Sequence, residues 1–335
     1  MRIIPGTRCQ QQTPLWQTLL SQAITTPEEL LQLLELPLDS LPACLAAGQK
    51  FHLRVPRGFA ARMTRGDPED PLLRQVLPVA EELEAVPGFS HDPLDELNAM
   101  PVPGVLHKYQ GRLLLTATGA CAVHCRYCFR RHYPYSEANP GRTPEQTFGY
   151  LRQHPEINEV ILSGGDPLTL TDTKLSEWVD QLEMLPQITR LRIHSRVPVV
   201  LPERIDDNLL DWVKNTRLRL VLVIHANHAN EIAADVSTAL EKLKQVGITL
   251  LNQSVLLKGV NDSVSALAGL SEALLSASVL PYYLHQLDSV QGAAHFQVSD
   301  KKAIILLNQL RTRLPGYLVP ELVRENPGQA SKTPL

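Results

Sequence analysis

Cys121-Ala-Val-His-Cys125-Arg-Tyr-Cys128, followed at once by Phe129-Arg130-Arg131, is the stretch from which the rest of the chain is read. Three cysteines at this spacing can fold one loop around one face of an iron–sulfur cube, because thiolates are the usual ligands of such clusters. The fourth iron is then left without a protein ligand, open to a small-molecule reactant. A zinc site or plain reduced thiols would use the same residue type. Zinc normally takes four closed ligands, or three and a water, often in paired CxxC knuckles. No second knuckle exists in the sequence. The spacing predicts Cys121, Cys125 and Cys128 as ligands of a 4Fe–4S cluster.

The remaining two cysteines, Cys9 and Cys44, lie apart near the N-terminus and read as buried or indifferent thiols. An oxygen-sensitive cluster argues for a reducing compartment rather than a disulfide framework. At 335 residues and 44% hydrophobic, the chain can build one large α/β domain with an appendage, or two domains. A net charge of −3 and a pI near 6.4 give no electrostatic basis for binding nucleic acid. Met1-Arg-Ile-Ile-Pro-Gly carries no apolar leader core, and no stretch approaches membrane-spanning length. A cytoplasmic protein without a membrane partner is expected.

Residues 1–105 read as an N-terminal lobe, helical and then extended. Thr26-Pro27-Glu28-Glu29 is an N-cap, a proline at the first helical position and a capping-box glutamate. Leucines 30, 31, 33, 34 and 36 then predict an amphipathic helix that Pro37 stops. Prolines at 68, 71, 78, 87, 93, 101 and 103 forbid long helices beyond it. From Arg112 a rhythm begins. Apolar, β-branched runs start near Arg112, Asn158, Ile188, Leu218, Gly247 and Val279, with helical patterns between them. Thr143-Pro-Glu-Gln146 opens one such helix; Ile232, Val236, Leu240, Leu243 and Val246 form the stripe of another. Strands alternating with helices make βα units on a parallel sheet. Six units are too few for a closed eightfold barrel, so an α/β fold with an open, six-stranded partial βα barrel is predicted over 106–300. Residues 301–335 are left as a C-terminal helix and tail. Catalytic groups should gather at the carboxyl ends of the strands, where the cysteine loop already sits.

The other strand ends carry polar residues: Ser163-Gly164-Gly165-Asp166, His194-Ser195-Arg196, His225-Ala-Asn227-His228, Asn252-Gln253-Ser254 and, beyond the last strand, Asp288. Gly-Gly-Asp alone is a common turn, although paired glycines also let a ligand approach the backbone. A single histidine or glutamine there would read as packing. Several at successive strand ends converge on one cavity. The C-terminal stretch from Arg324 to Leu335 reads, taken alone, as a polar tail.

With these blocks in order, the chain resembles the lysine 2,3-aminomutase family of radical S-adenosylmethionine (SAM) enzymes. It is most similar to the short bacterial branch that prepares β-lysine for modification of translation elongation factor P. The resemblance runs from about Asp92 to Leu335. It is carried by Pro101-Val-Pro-Gly, Tyr109-Gln-Gly-Arg112, the cysteine loop with Arg130-Arg131, Ser163-Gly-Gly-Asp-Pro-Leu, Val197-Pro-Val-Val-Leu-Pro, Asn252-Gln-Ser-Val-Leu-Leu-Lys-Gly-Val-Asn-Asp and Lys332-Thr-Pro. It implies three cofactors: a 4Fe–4S cluster, SAM, and pyridoxal 5′-phosphate (PLP) held as a Schiff base by Lys332. It implies Tyr109 and Arg112 at PLP, and Ser163, Gly164, Gly165, Asp166, His225 and Gln253 at SAM. By the same resemblance Arg130 grips the substrate carboxylate, a bidentate task that suits a guanidinium. Asp288 and Glu325 hold the far ammonium of lysine, and two carboxylates would repel an acidic side chain.

Some positions depart from the pattern. Glu325 stands where the family typically has Asp, Gly-Gln-Ala-Ser replaces a glycine-richer run, and Tyr127 replaces a histidine of the longer relatives. Those relatives also continue past the lysine with cysteines for a zinc site at a subunit contact. Here the chain stops at Leu335, and a homo-oligomer is compatible with the sequence without being specified by it. The implied activity converts free (S)-α-lysine to (R)-β-lysine with a one-electron reductant, in a pathway leading to elongation factor P and its lysyl ligase. An aminomutase of other amino-acid specificity, one acting on protein-bound lysine, and a non-catalytic iron–sulfur or zinc module are the rival readings.

Overall fold

The computed structural model describes residues 13–138, 140–142 and 144–335. Their organising element is a nine-stranded sheet whose strand order follows the sequence from β1 to β9. β1 (Val105–Tyr109) turns back through Gln110-Gly111 into β2 (Arg112–Thr118) as an antiparallel hairpin. Gly111 takes φ 76° in that turn, a left-handed conformation that costs glycine little. β3 (Glu159–Gly164), β4 (Arg190–Ser195), β5 (Arg219–His225), β6 (Thr249–Val255), β7 (Leu280–His285) and β8 (Glu321–Arg324) add in parallel. β9 (Thr333–Pro334) runs antiparallel to β8 at the far edge.

The six runs predicted from the sequence are β2 to β7. β1, β8 and β9 extend them, and all three are short or folded into hairpins, which leaves no periodic signal to read. The linear order keeps β1 and β9 as separate edges, so the barrel is open, as predicted.

The N-terminal residues form α1 (Leu15–Ser21), α2 (Pro27–Leu33), α3 (Leu41–Lys50) and a single turn, α4 (Arg57–Ala60). α2 starts where expected: Pro27 is its first residue and Thr26 Oγ1 accepts the Glu29 N–H at 3.4 Å. Glu29 pairs with Arg57. The helix ends at Leu33 rather than at Pro37, and Glu35 at φ 57° turns the chain away. Leu30, Leu31 and Leu34 bury into the same continuous core as β2 to β6. Each such leucine contributes about 2 kcal/mol relative to exposure. Residues 66–104 then make short 3-10 turns and loops, as their prolines require. Cys44 is buried in α3, outside the functional cavity; Cys9 lies outside the described residues.

Around the sheet run α5 (Pro144–Gln153), α6 (Asp172–Glu183), the short α7 (Val197–Val200), α8 (Asp207–Asn215), α9 (Ala234–Gln245), α10 (Val264–Ser276) and α11 (Asp300–Arg313). Thr143, the expected cap of α5, lies outside the described residues. In α9 the predicted stripe buries Val236, Leu240 and Leu243, and Gly247 at φ 87° follows its end. Among the described residues no helix is long and apolar enough to cross a membrane.

Candidate active site

One cavity takes lining residues from β1 through to the segment after β8, so the sheet curls around it. It opens at the carboxyl ends of the parallel strands, where loops supply the side chains. Every residue that the resemblance assigns to a cofactor or to the substrate lines this cavity, from the three cysteines to Lys332. The strand-end residues Asn227, His228, Asn252 and Ser254 do not line it and bond to neighbouring backbone and side chains instead.

The cysteine loop follows β2 and is gripped from behind by the N-terminal lobe. His124 N–H donates to Arg54 O at 3.0 Å and Arg126 N–H to Gln75 O at 2.9 Å. The Arg126 guanidinium closes on the Glu82 carboxylate at 2.8 and 2.6 Å, and Arg131 reaches the same carboxylate at 2.6 Å. Cys121, Cys125 and Cys128 face the cavity. Burial, then the neighbouring sulfurs, push the Cys121 thiol well up and the Cys128 thiol to about 11. Stable thiolates here therefore call for a cationic group among them. Among the described residues no three His, Cys, Asp or Glu side chains converge as ligands of a single metal ion.

The turn after β3 forms the adjoining wall. Gly165 N–H donates to Thr118 O at 2.6 Å and Asp166 N–H to Ala120 O at 2.7 Å. A Cβ on Gly165 would sit 2.3 Å from Ala120 O, and one on Gly164 (φ 118°) 2.6 Å from Thr118 O. The paired glycines thus admit the backbone that leads into the cysteine loop. Asp166 lines the cavity while its carboxylate faces the fold: it accepts from Ser195 Oγ (2.7 Å), Arg196 N (2.7 Å), Leu168 N (3.1 Å) and Val197 N (3.1 Å). Burial still lifts its pKa to about 6.

Across the cavity runs a row of alternating charges. Arg130 donates to both oxygens of Glu96 (2.6 and 2.9 Å) and, through Nη1, to Ser163 Oγ at 3.1 Å. Lys108 Nζ lies 3.3 Å from Glu96 and 2.9 Å from Glu325. Lys332 Nζ donates to the other Glu325 oxygen at 2.6 Å. Burial would raise the Glu325 pKa, but Lys332 and Lys108 overcome it and hold the carboxyl well below the usual range. Asp288 has the opposite balance: burial, then Glu325, push it up to about 7.

The terminal segment reaches this row as a hairpin. Val323 pairs with Pro334 and Arg324 with Thr333, and Asn326 Nδ2 donates to Thr333 Oγ1 at 3.1 Å. On the near side Arg112 lies over the Tyr109 ring at 4.5 Å, and Lys332 Nζ is 5.9 Å from the centre of the Tyr283 ring. His225 Nε2 is 2.8 Å from Tyr127 Oη, and burial keeps its imidazole neutral by holding the pKa well below the ordinary value.

Comparison with known proteins adds to this geometry. A profile of the Radical SAM superfamily matches residues 115–268. The L-lysine 2,3-aminomutase of Escherichia coli K12 is 52% identical over 96% of this chain and 94% of its own length. That of Haemophilus influenzae Rd is 48% identical over 99% of both chains. The longer enzyme of Clostridium subterminale is 34% identical over 96% of this chain and 77% of its own. The chain belongs to the L-lysine 2,3-aminomutase family.

As a radical SAM protein, this aminomutase-family member takes a 4Fe–4S cluster and SAM. The donor set fits: three thiols in one loop, none closed on a single ion, beside a cavity wall of glycine backbone. In a cluster each thiolate serves a different iron.

Glu96 and Lys108 line the site but escape the sequence reading, as does Gln75 behind the cysteine loop. Glu96 sits in a proline-broken stretch without a period, and Lys108 is one side chain of a short hairpin strand. Gln75 lies in a 3-10 turn. Tyr127 carried a signal, as a departure from the longer relatives, but its partners are not local.

Proposed function

We infer that this protein is an L-lysine 2,3-aminomutase that moves the α-amino group of free (S)-α-lysine to C3, giving (R)-β-lysine, with PLP on Lys332. The observation that carries this reading is a single cavity lined both by the three cysteines and by Lys332. When bound, the cluster and SAM supply the radical that takes hydrogen from C3, and PLP supplies the carbonyl that receives the substrate amine.

The chain's own groups bind and orient. Arg130 has Nε and Nη2 committed to Glu96, so Nη1, beside Ser163, is the edge that meets the substrate carboxylate. Glu325 holds the far ammonium once Lys332 leaves its Oε2, while Lys108 remains on Oε1. Asp288 adds the second carboxylate as it gives up its proton. Tyr109 and Arg112, which line the cavity, are the residues that would contact PLP. Gly164 and Gly165, with Ser163, His225 and Gln253, border the space for SAM. The buried wall keeps water from the radical. A one-electron donor and a reducing, cytoplasmic setting belong to the same reading. So does a consuming reaction that attaches β-lysine to elongation factor P through its ligase.

The test is product analysis. Reduced, reconstituted protein given C3-deuterated lysine, SAM and PLP should form β-lysine by mass spectrometry, with deuterium moved to C2. Borohydride should fix PLP on Lys332. No product above a Lys332→Ala control would overturn the reading, and turnover of intact elongation factor P in preference to free lysine would move the substrate to a protein-bound lysine.

A further inference from the structure

Behind the cysteine loop lies a buried polar cluster that the proposed function does not use. Gln75, from the N-terminal lobe, is its hub. Its Oε1 accepts from Arg196 Nη2 at 2.6 Å, Asn227 Nδ2 at 2.9 Å and Tyr127 Oη at 3.2 Å, and its Nε2 donates to Glu231 Oε1 at 3.1 Å. Arg196 stands just past β4, only 6% exposed, with its peptide N–H fixed by Asp166. Its Nη2 also donates to Glu231 Oε2 at 2.9 Å. Its Nη1 donates to Tyr127 Oη at 2.8 Å and to Cys125 Sγ at 2.7 Å.

A buried guanidinium needs a carboxylate, and Glu231 supplies one. The pair is directional, however. Glu231 takes further donors from the Asn227 and His228 peptides, at 2.8 and 3.1 Å. The cationic end rests on a sulfur. Among the described residues Arg196 Nε is buried with no partner of its own. A pair serving packing alone would have no reason to present its positive end to a cluster ligand.

We propose that Arg196, held by Glu231 and Gln75, raises the reduction potential of the cluster that Cys125 ligates. The step concerned is the uptake of one electron from the reductant; no bond forms or breaks. The added negative charge spreads over iron and sulfur, and an N–H···S bond from a cation stabilises it. The N-terminal lobe gains a chemical role by this route, since Gln75 orients the guanidinium. The inference rests on the family's cluster being present.

The test uses full-length, reconstituted protein and reads the cluster rather than turnover. The double variant Arg196→Gln/Glu231→Gln removes the ion pair without leaving a lone buried charge. Loaded with iron and sulfide as the parent is, it should show a lower midpoint in an EPR-monitored titration. At a fixed solution potential the reduced-to-oxidised ratio should fall at least tenfold, which corresponds to 59 mV for one electron. Arg196→Lys, which keeps the charge, should recover part of the shift. Gln75→Met should move the midpoint the same way by less, and it decides the matter if the double variant does not load. A purely structural role would lower thermal stability and leave the midpoint of loaded protein in place. Midpoints equal to the parent's in loaded variants would overturn the proposal alone. A parent that takes up no cluster would overturn the cluster reading and the proposal with it.

Discussion

Asp288 is a carboxyl group whose charge depends on what lies beside it. Burial, then the Glu325 carboxylate, push its pKa up to about 7, against the pull of Lys332. Raised above its ordinary value, it keeps its proton in the folded protein over the window from about 4 to 7, where an unfolded chain would lose it. Stability owed to this group therefore falls as pH rises through that window. A lysine ammonium beside it favours the charged form, so binding below pH 7 expels a proton. Affinity for lysine should rise with pH by up to about tenfold per unit below 7 and then level off. Calorimetry in two buffers of different ionisation enthalpy would read the released proton, and Asp288→Asn should remove both the release and the slope. An unchanged slope in that variant would place the titrating group elsewhere. At this scale residue types were legible and partners were not. The resemblance singles out Arg130 beside the third cysteine, whereas nothing in the sequence signals its closure on Glu96, 34 residues earlier.

Among elements, the turn after β3 constrains the cysteine loop most tightly. Its glycines read in sequence either as a common turn or as an opening for a ligand. The fold gives a third reason: residues 118–120 pass so near that a Cβ on Gly165 would lie 2.3 Å from Ala120 O and 2.8 Å from the Gly119 carbonyl carbon. Both are backbone atoms and cannot swing aside. Gly165→Ala should displace the start of the cysteine loop at a cost of about 1–3 kcal/mol. Iron bound after reconstitution should fall by roughly half or more while the far-ultraviolet spectrum holds, because strand and helix packing elsewhere is untouched. Full iron content in that variant would show that the loop can yield. The terminal hairpin teaches the complementary lesson. Residues 324–335 have the composition of a tail, and only pairing with β8 carries Lys332 back to Glu325.

For the whole molecule, the N-terminal lobe and the barrel are joined by charge as well as by core. Glu82 neutralises Arg126 and Arg131 together, with all three side chains at most 2% exposed. Glu82→Ala would leave two buried guanidinium groups without their shared partner. It should destabilise the protein by about 3–5 kcal/mol in urea unfolding. A loss below about 1 kcal/mol would mean that the arginines find other acceptors or water. Because this clamp flanks the cysteine loop, the same variant should also lose cluster content on reconstitution.

What the sequence determined by itself was local: the ligand spacing of Cys121, Cys125 and Cys128, the alternation of strands and amphipathic helices, and hence an open α/β barrel with polar strand ends. Such signals span one turn, one period or one loop. The tertiary structure alone decided which charges meet. Lys108 and Glu325 stand 217 residues apart, Gln75 and Arg196 121, and Arg126 and Glu82 44. Coulomb and hydrogen-bond energies depend on distance in space, and across such separations no pattern in the sequence records it.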